Sequence, residues 1–349
     1  MSAEDTAYES DVSVRRMSRK LVVAGLFVVL TLVLLYFVLP HIAGLEDTYD
    51  RMRDGDVVWL AVAAAFELGS FFGYMILFRS VFGEHVPQIG WRESYLITMA
   101  GVAATRMLAA AGAGGIALTA WALRRAGMER RQVGSTMTTF LVLLYVVFMG
   151  SVLIAGILLR VGIFAGDDPV ALTILPAALA GVVIMVCASA VLIPRDLEER
   201  FADRPGWWPQ SVLMRVGAVG VIVADGVAGA IRQLRRAQPG IVGALLWWGL
   251  DILTLWACFH AFGHSPPGAV IVLSYFVGMV ANVLPIPGGV GGTEGGMVAC
   301  FAGFGVDAGL ALVAVLAYSA FAYWLPTIPG FLAYLRLTRV VKTWSPSEN

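Results

Sequence analysis

Apolar residues run along this chain in blocks rather than in alternation with polar ones. Blocks at 21–39, 57–78, 133–159, 170–193, 241–262 and 310–335 each come close to or exceed the ~20 residues an α-helix needs to cross the apolar part of a bilayer. Strands of a membrane barrel would be shorter and would alternate in polarity, so the blocks predict helices. The expected fold class is all-α: a polytopic helical membrane protein with six full spans. A single transmembrane domain covers 21–337, between tails at 1–20 and 338–349.

Two segments do not fit a full crossing. The stretch 93–123 is apolar but too short for two spans, and its middle is Ala and Gly only, with Gly112, Gly114 and Gly115 together. The stretch 268–304 contains Pro285 and Pro287 followed by Gly288, Gly289, Gly291, Gly292, Gly295 and Gly296. No helix runs through that many breakers. Both segments are expected to be re-entrant helical hairpins, with Gly112, Gly114, Gly115, Pro285 and Pro287 at their tips.

Basic residues set the orientation. Arg15, Arg16, Arg19 and Lys20 precede the first block and belong in the cytoplasm. Arg124, Arg125, Arg130 and Arg131 stay on that side only if 93–123 enters and returns. The second hairpin then enters from outside, so the two have opposite orientations and suggest an inverted repeat. Arg336, Arg339 and Lys342 bring the second terminus inside as well. The expectation is a multi-pass cell-membrane protein with both termini cytoplasmic. The segment 195–240 is rich in Arg and moderately apolar over 212–234, where Arg215, Asp225 and Arg232 intervene. It is expected as a cytoplasmic amphipathic segment lying in the interface rather than as a span.

Composition sharpens this picture. The chain has 349 residues, 59% hydrophobic and 14% charged, against about 25% charged in a soluble domain. Its net charge of zero argues against a nucleic-acid partner. Cys187, Cys258 and Cys300 lie in apolar stretches without metal or disulfide spacing and read as core residues. Trp59, Trp91, Trp247 and Trp248 fall near predicted span ends and read as an interfacial belt. No enzyme signature is present: no HExxH, GxSxG, phosphate-binding loop or DxD cluster. No metal or cofactor is expected, and the chain is read as a non-enzyme.

Candidate chemistry lies in the polar residues at membrane depth. Arg106, just before the first tip, suits a phosphate or carboxylate, or else a salt bridge to Glu67. Glu294 suits a cavity-lining charge, or an acid in the first turn of the returning half-helix. Thr293-x-x-Gly296 lacks the Glu of a capping box, so the sequence does not secure a cap there. Asp251 is expected to line the cavity; His260, on the opposite face of the same helix, is expected at the membrane surface. Asn282 would satisfy broken-helix carbonyls, and Gly288, Gly289, Gly291, Gly292 and Thr293 would offer backbone amides to an anion.

The string Asn282-x-x-Pro285-x-Pro287-Gly288-Gly289-x-Gly291-x-x-Glu294 resembles the signature of the lysylphosphatidylglycerol synthase transmembrane (flippase) family. The stretch from Thr105-Arg106 through Gly114-Gly115 to Gly127 resembles that family's first glycine-containing hairpin and basic loop. The resemblance implies a lipid translocase fold, and a stand-alone member without the cytosolic aminoacyl transferase domain that some members carry. Many members have a Pro and an acid around the first hairpin; here 109–115 is Ala and Gly, with Arg106 the nearest charge.

The function expected is a flippase-like transporter. Its substrate would be an anionic or modified phospholipid, or a polyprenyl-phosphate lipid, with the headgroup between the hairpins. The alternatives are an intramembrane lipid-linked glycosyl or phospholipid transferase and an ion-coupled small-solute transporter. The expected partner is a membrane lipid substrate. A homo-oligomer and a separate lipid-modifying enzyme stay open.

Overall fold

The computed structural model describes residues 54–107, 113–163, 169–194, 210–281 and 291–344. The chain divides at Asp54 into two units, and the larger, Gly55–Asn349, holds every helix described here. The described residues are helical, without a strand. Six of the helical runs are long and apolar enough to cross a membrane: Val57–Phe82, Arg130–Arg160, Val170–Leu192, Val216–Arg235, Pro239–Phe262 and Ala308–Lys342. The first predicted span, 21–39, lies outside the described residues.

The bundle is organised around two antiparallel helices, α1 (Val57–Phe82) and α7 (Pro239–Phe262). Asp56 N donates to Ala261 O at 2.8 Å, Ser70 Oγ donates to Trp247 O at 2.9 Å, and Gly240 packs on Ser80 at the other end. The closest approach needs glycine on both sides. A Cβ on Gly73 would sit 2.9 Å from Gly243 O and 2.8 Å from Trp247 N; one on Gly243 would sit 2.7 Å from Gly73 O and 2.5 Å from Leu77 N. The contact is reciprocal.

Each of these helices leads into a helical hairpin. After α1 come α2 (Trp91–Met107) and α3 (Ala113–Arg125); after α7 come α8 (Gly268–Ala281) and α9 (Gly292–Gly303). Because α1 and α7 are antiparallel, the hairpins start from opposite ends of the bundle. Their arms have 17, 13, 14 and 12 residues, each short of the ~20 for a crossing. Gly101 packs on Gly115, whose amide donates to Thr105 Oγ1 at 3.1 Å, and Gly278 packs on Thr293 and Met297. Gly114, Gly115, Gly292 and Thr293, expected at or near tips, are therefore first-turn residues of α3 and α9. Gly112, Asn282, Pro285, Pro287, Gly288 and Gly289 lie outside the described residues.

Both hairpins leave by the same turn. Gly127 has φ +97° and Gly305 φ +79°. Met128 N donates to Leu123 O at 3.1 Å, and Val306 N to Phe301 O at 3.0 Å. This left-handed glycine closes a helix end by satisfying its last carbonyls. Glu129 and Asp307 then open α4 (Arg130–Arg160) and α10 (Ala308–Ser319).

The remaining helices complete the core. α5 (Val170–Ser189) packs on α4 where Gly156 meets Thr173 O and Ala177. α10 continues through a π-helical turn, Ala320–Trp324, into α11 (Thr327–Lys342), so the predicted span 310–335 is not one regular helix. Gly330 of α11 packs on Met99 and Ala103 of α2. Trp248 is 8% exposed, stacks on Phe148 and donates to Leu144 O at 2.7 Å. It is a core residue and not part of an interfacial belt, because its indole N–H finds a partner inside.

The helix α6 (Gln210–Arg235) covers the segment expected as an amphipathic helix, and its part Val216–Arg235 is by length and composition also able to cross. Its contacts describe its course. Ile222 meets Gly134, Gly226 meets Ser135 and Thr138, and Gly229 meets Thr139, all in the first three turns of α4. Just beyond its end, Gln238 Nε2 reaches Glu84 Oε1 at 3.4 Å. Each of these partners lies at the end of the bundle where α1 stops and α4 and α7 begin.

Candidate functional site

The middle of the bundle is not wholly apolar. Asp251 lies on the buried face of α7, 6% exposed, where α8 and α10 pack against it. Tyr275 of α8 donates its hydroxyl to Asp251 Oδ2. Tyr318, near the end of α10, lies 3.2 Å from Oδ1 and 3.1 Å from Oδ2. One carboxylate thus joins three helices. The two phenol oxygens are 3.5 Å apart. Burying a charged group is tolerated when hydrogen bonds replace its hydration, and charge-assisted bonds are the strong ones.

Glu67 of α1 is 3% exposed. A second of the expected acids is thus buried in the bundle, on the helix that packs along α7. Arg106 is helical, in the last turn of α2; its side chain lies outside the described residues.

Among the described residues Glu294 has two partners. Its Oε2 accepts from Gly291 N at 3.0 Å, and its Oε1 accepts from Ser319 Oγ at 2.9 Å. The first bond makes Glu294 the first-turn acid of the returning helix, one of the two readings its sequence position offers. The cap is Gly291, with φ +92°, and Glu294 is its third-position acid. Only the half of a capping box that runs from the acid to the cap amide exists, because glycine has no side chain to return it. The second bond ties α9 to α10. Tyr318 and Ser319 are neighbours, so the end of α10 donates to two carboxylates on two other helices. The π-helical turn begins at the next residue, and such turns in otherwise regular helices frequently mark functional sites.

His260 is on the opposite face of α7 from Asp251, stacked on Trp59 with ring centroids 4.7 Å apart. Cys258 and Cys300 are buried free thiols, and Cys187 is half-buried. Among the described residues no three His, Cys, Asp or Glu side chains are grouped to hold a metal.

Sequence reasoning named Glu67, Asp251 and Glu294 but missed Tyr275, Tyr318 and Ser319. A signal existed: a tyrosine inside an apolar block needs a hydrogen-bond partner when buried. The identity of that partner depends on contacts between helices far apart in sequence.

The model of the lysylphosphatidylglycerol synthase TM region matches residues 22–330. The chain belongs to this family. A UPF0104 membrane protein of Methanothermobacter thermautotrophicus is 36% identical over 110 residues, 31% of each chain. A UPF0104 membrane protein of Pyrococcus horikoshii is 28% identical over 106 residues, 30% of this chain and 32% of that one. These two matches thus span under a third of the relatives' length. A further UPF0104 membrane protein of M. thermautotrophicus matches more broadly, at 23% identity over 312 residues, 84% of this chain and 89% of the relative.

Proposed function

We propose that this multi-pass membrane protein moves a lipid headgroup across the bilayer between its two hairpins. The observation that carries the reading is the pair of short hairpins starting from opposite ends, beside the buried carboxylates of Glu67 and Asp251. Interrupted helices at depth are tolerated where they are buried in protein or line a cavity. Intramembrane acids mark pathways by default. Broken segments in corresponding halves point to a site between inverted repeats. The reciprocal Gly73–Gly243 contact and the matching exit turns at Gly127 and Gly305 support such a repeat.

The substrate class is a lipid with an anionic or modified headgroup, whether a phospholipid or a polyprenyl phosphate. The family's name joins it to a lipid-modifying synthase, which favours lipid over a free solute. Arg106 and the amides following Gly288 would hold phosphate; Glu67, Asp251 and Glu294 would balance charge. Acyl chains would remain outside the bundle.

The test is the purified full chain in liposomes. Fluorescent phosphatidylglycerol placed in one leaflet should equilibrate faster than in protein-free vesicles, and trapped labelled sugar should not leak. Sugar release without lipid movement would replace this reading with solute transport.

Opposed hairpins make a separate prediction. Gln132 and Ala308, both exposed, lie in the first turns of α4 and α10. Single cysteines there, in a chain without Cys187, Cys258 and Cys300, should react with an impermeant maleimide from opposite faces, position 132 from the cytoplasm. Labelling of both from one face would end the inverted-repeat reading.

A further inference from the structure

The two hairpin exits set a register between the halves of the chain. Val133 N donates to Glu129 O at 2.8 Å, and Ala311 N to Asp307 O at 2.9 Å, each bond opening the helix that follows. α4 and α10 then run on as regular helix. At the same distance from those bonds lie Phe140 in one half and Tyr318 in the other. Each is 4% exposed. Phe140 packs against Tyr74, Phe78 and Phe82 with its ring alone. An aromatic ring therefore fulfils the packing requirement at this register position. The hydroxyl of Tyr318 is additional, and it is spent on Asp251.

We infer that Tyr318 is a positioning residue, which with Tyr275 fixes the Asp251 carboxylate in the orientation that meets the lipid headgroup. The inference rests on the reading of Asp251 as a headgroup contact. A carboxylate on a short side chain can swing about its terminal torsion, whose energy profile is broad. Donors from two other helices remove that freedom. Tyr318 lies within reach of both carboxylate oxygens, and Tyr275 holds Oδ2. Preorganisation of this kind contributes to affinity by lowering the ordering cost on binding. Among the described residues, the titratable groups in contact with Asp251 include Tyr275 from α8 and Tyr318 from α10.

The experiment measures transport of fluorescent phosphatidylglycerol in proteoliposomes against lipid mole fraction, together with the melting temperature of each variant. Tyr318→Phe should raise the half-saturating mole fraction by about tenfold, the scale of a lost hydrogen bond to a charged group, with melting temperature and maximal rate near wild type. Tyr275→Phe should act in the same direction. In an Asp251→Asn chain, Tyr318→Phe should change the half-saturating value by less than about twofold, because coupled partners are non-additive. Wild-type saturation in both phenylalanine variants overturns the inference while leaving lipid transport standing. So does a full loss added on top of Asp251→Asn, or a loss that follows a fall in melting temperature. A wild-type chain that moves no probe lipid overturns the transport reading, and this inference with it.

Discussion

Gly243→Val should separate α1 from α7 and give a large loss of stability. The added Cβ would lie 2.5 Å from Leu77 N, 2.7 Å from Gly73 O and 2.9 Å from Leu77 Cα. All three neighbours are backbone atoms, so no side chain can turn aside. The helices themselves must part, and overpacking of this kind costs about 3 kcal/mol. The damage would spread, because α1 carries Glu67 and α7 carries Asp251, and their neighbourhood depends on the two helices staying in register. Gly249→Val is the matched control: it lies on the same helix, is exposed, and has nothing within 4 Å of its added Cβ. Thermal unfolding in detergent, followed by size-exclusion profile, should show a large fall in melting temperature for Gly243→Val and little for Gly249→Val. Equal melting temperatures would mean that the close crossing contributes nothing.

The helices are legible in the sequence because a bilayer demands long apolar runs, and five predicted spans correspond to five of the long helices. The interruptions at 93–123 and 268–304 are legible for the converse reason, and the helices described there have 17, 13, 14 and 12 residues. What the pattern misjudged depends on contacts rather than on runs. Arg215, Asp225 and Arg232 interrupt the apolar run of α6, and its neighbours along α4 involve small residues, Gly226 and Gly229, that a linear reading does not weigh. Trp248 stands near the beginning of an apolar block, but its ring finds Phe148 in the interior. The cap of α9 is hard to read from sequence because caps usually carry a side-chain oxygen; Gly291 caps through its backbone and leaves the oxygen to Glu294. Glu67 and Asp251 stand out as acids in apolar surroundings, whereas the hydroxyls that complete the cluster look like ordinary core positions until α8 and α10 meet α7. Polar burial is thus visible one residue at a time, while its compensation is a property of the fold.

Glu294→Gln and Glu294→Ala should both reduce lipid transport by at least about tenfold, as expected for loss of an interaction with a charged group, but only the alanine variant should also loosen the start of α9. The side chain has two structural bonds, from Gly291 N and from Ser319 Oγ. Glutamine keeps one acceptor oxygen, so it can retain one of them; alanine retains neither. A helix-start bond is worth about 1 kcal/mol, and without the link to Ser319 the π-helical turn at 320 loses a tether to the second hairpin. Charge behaves differently. Glutamine removes it as completely as alanine does, at a depth where an acid is costly to keep. The comparison therefore separates the two roles that the sequence leaves open for this residue. If charge at the hairpin serves transport, the two variants fail alike in proteoliposomes, while proteolysis or hydrogen exchange at α9 distinguishes them. If Glu294 only opens the helix, Glu294→Gln transports close to wild type and Glu294→Ala alone fails. That second result would move the headgroup contact away from α9 and leave Asp251, with its two phenols, as the described acid best placed to make it.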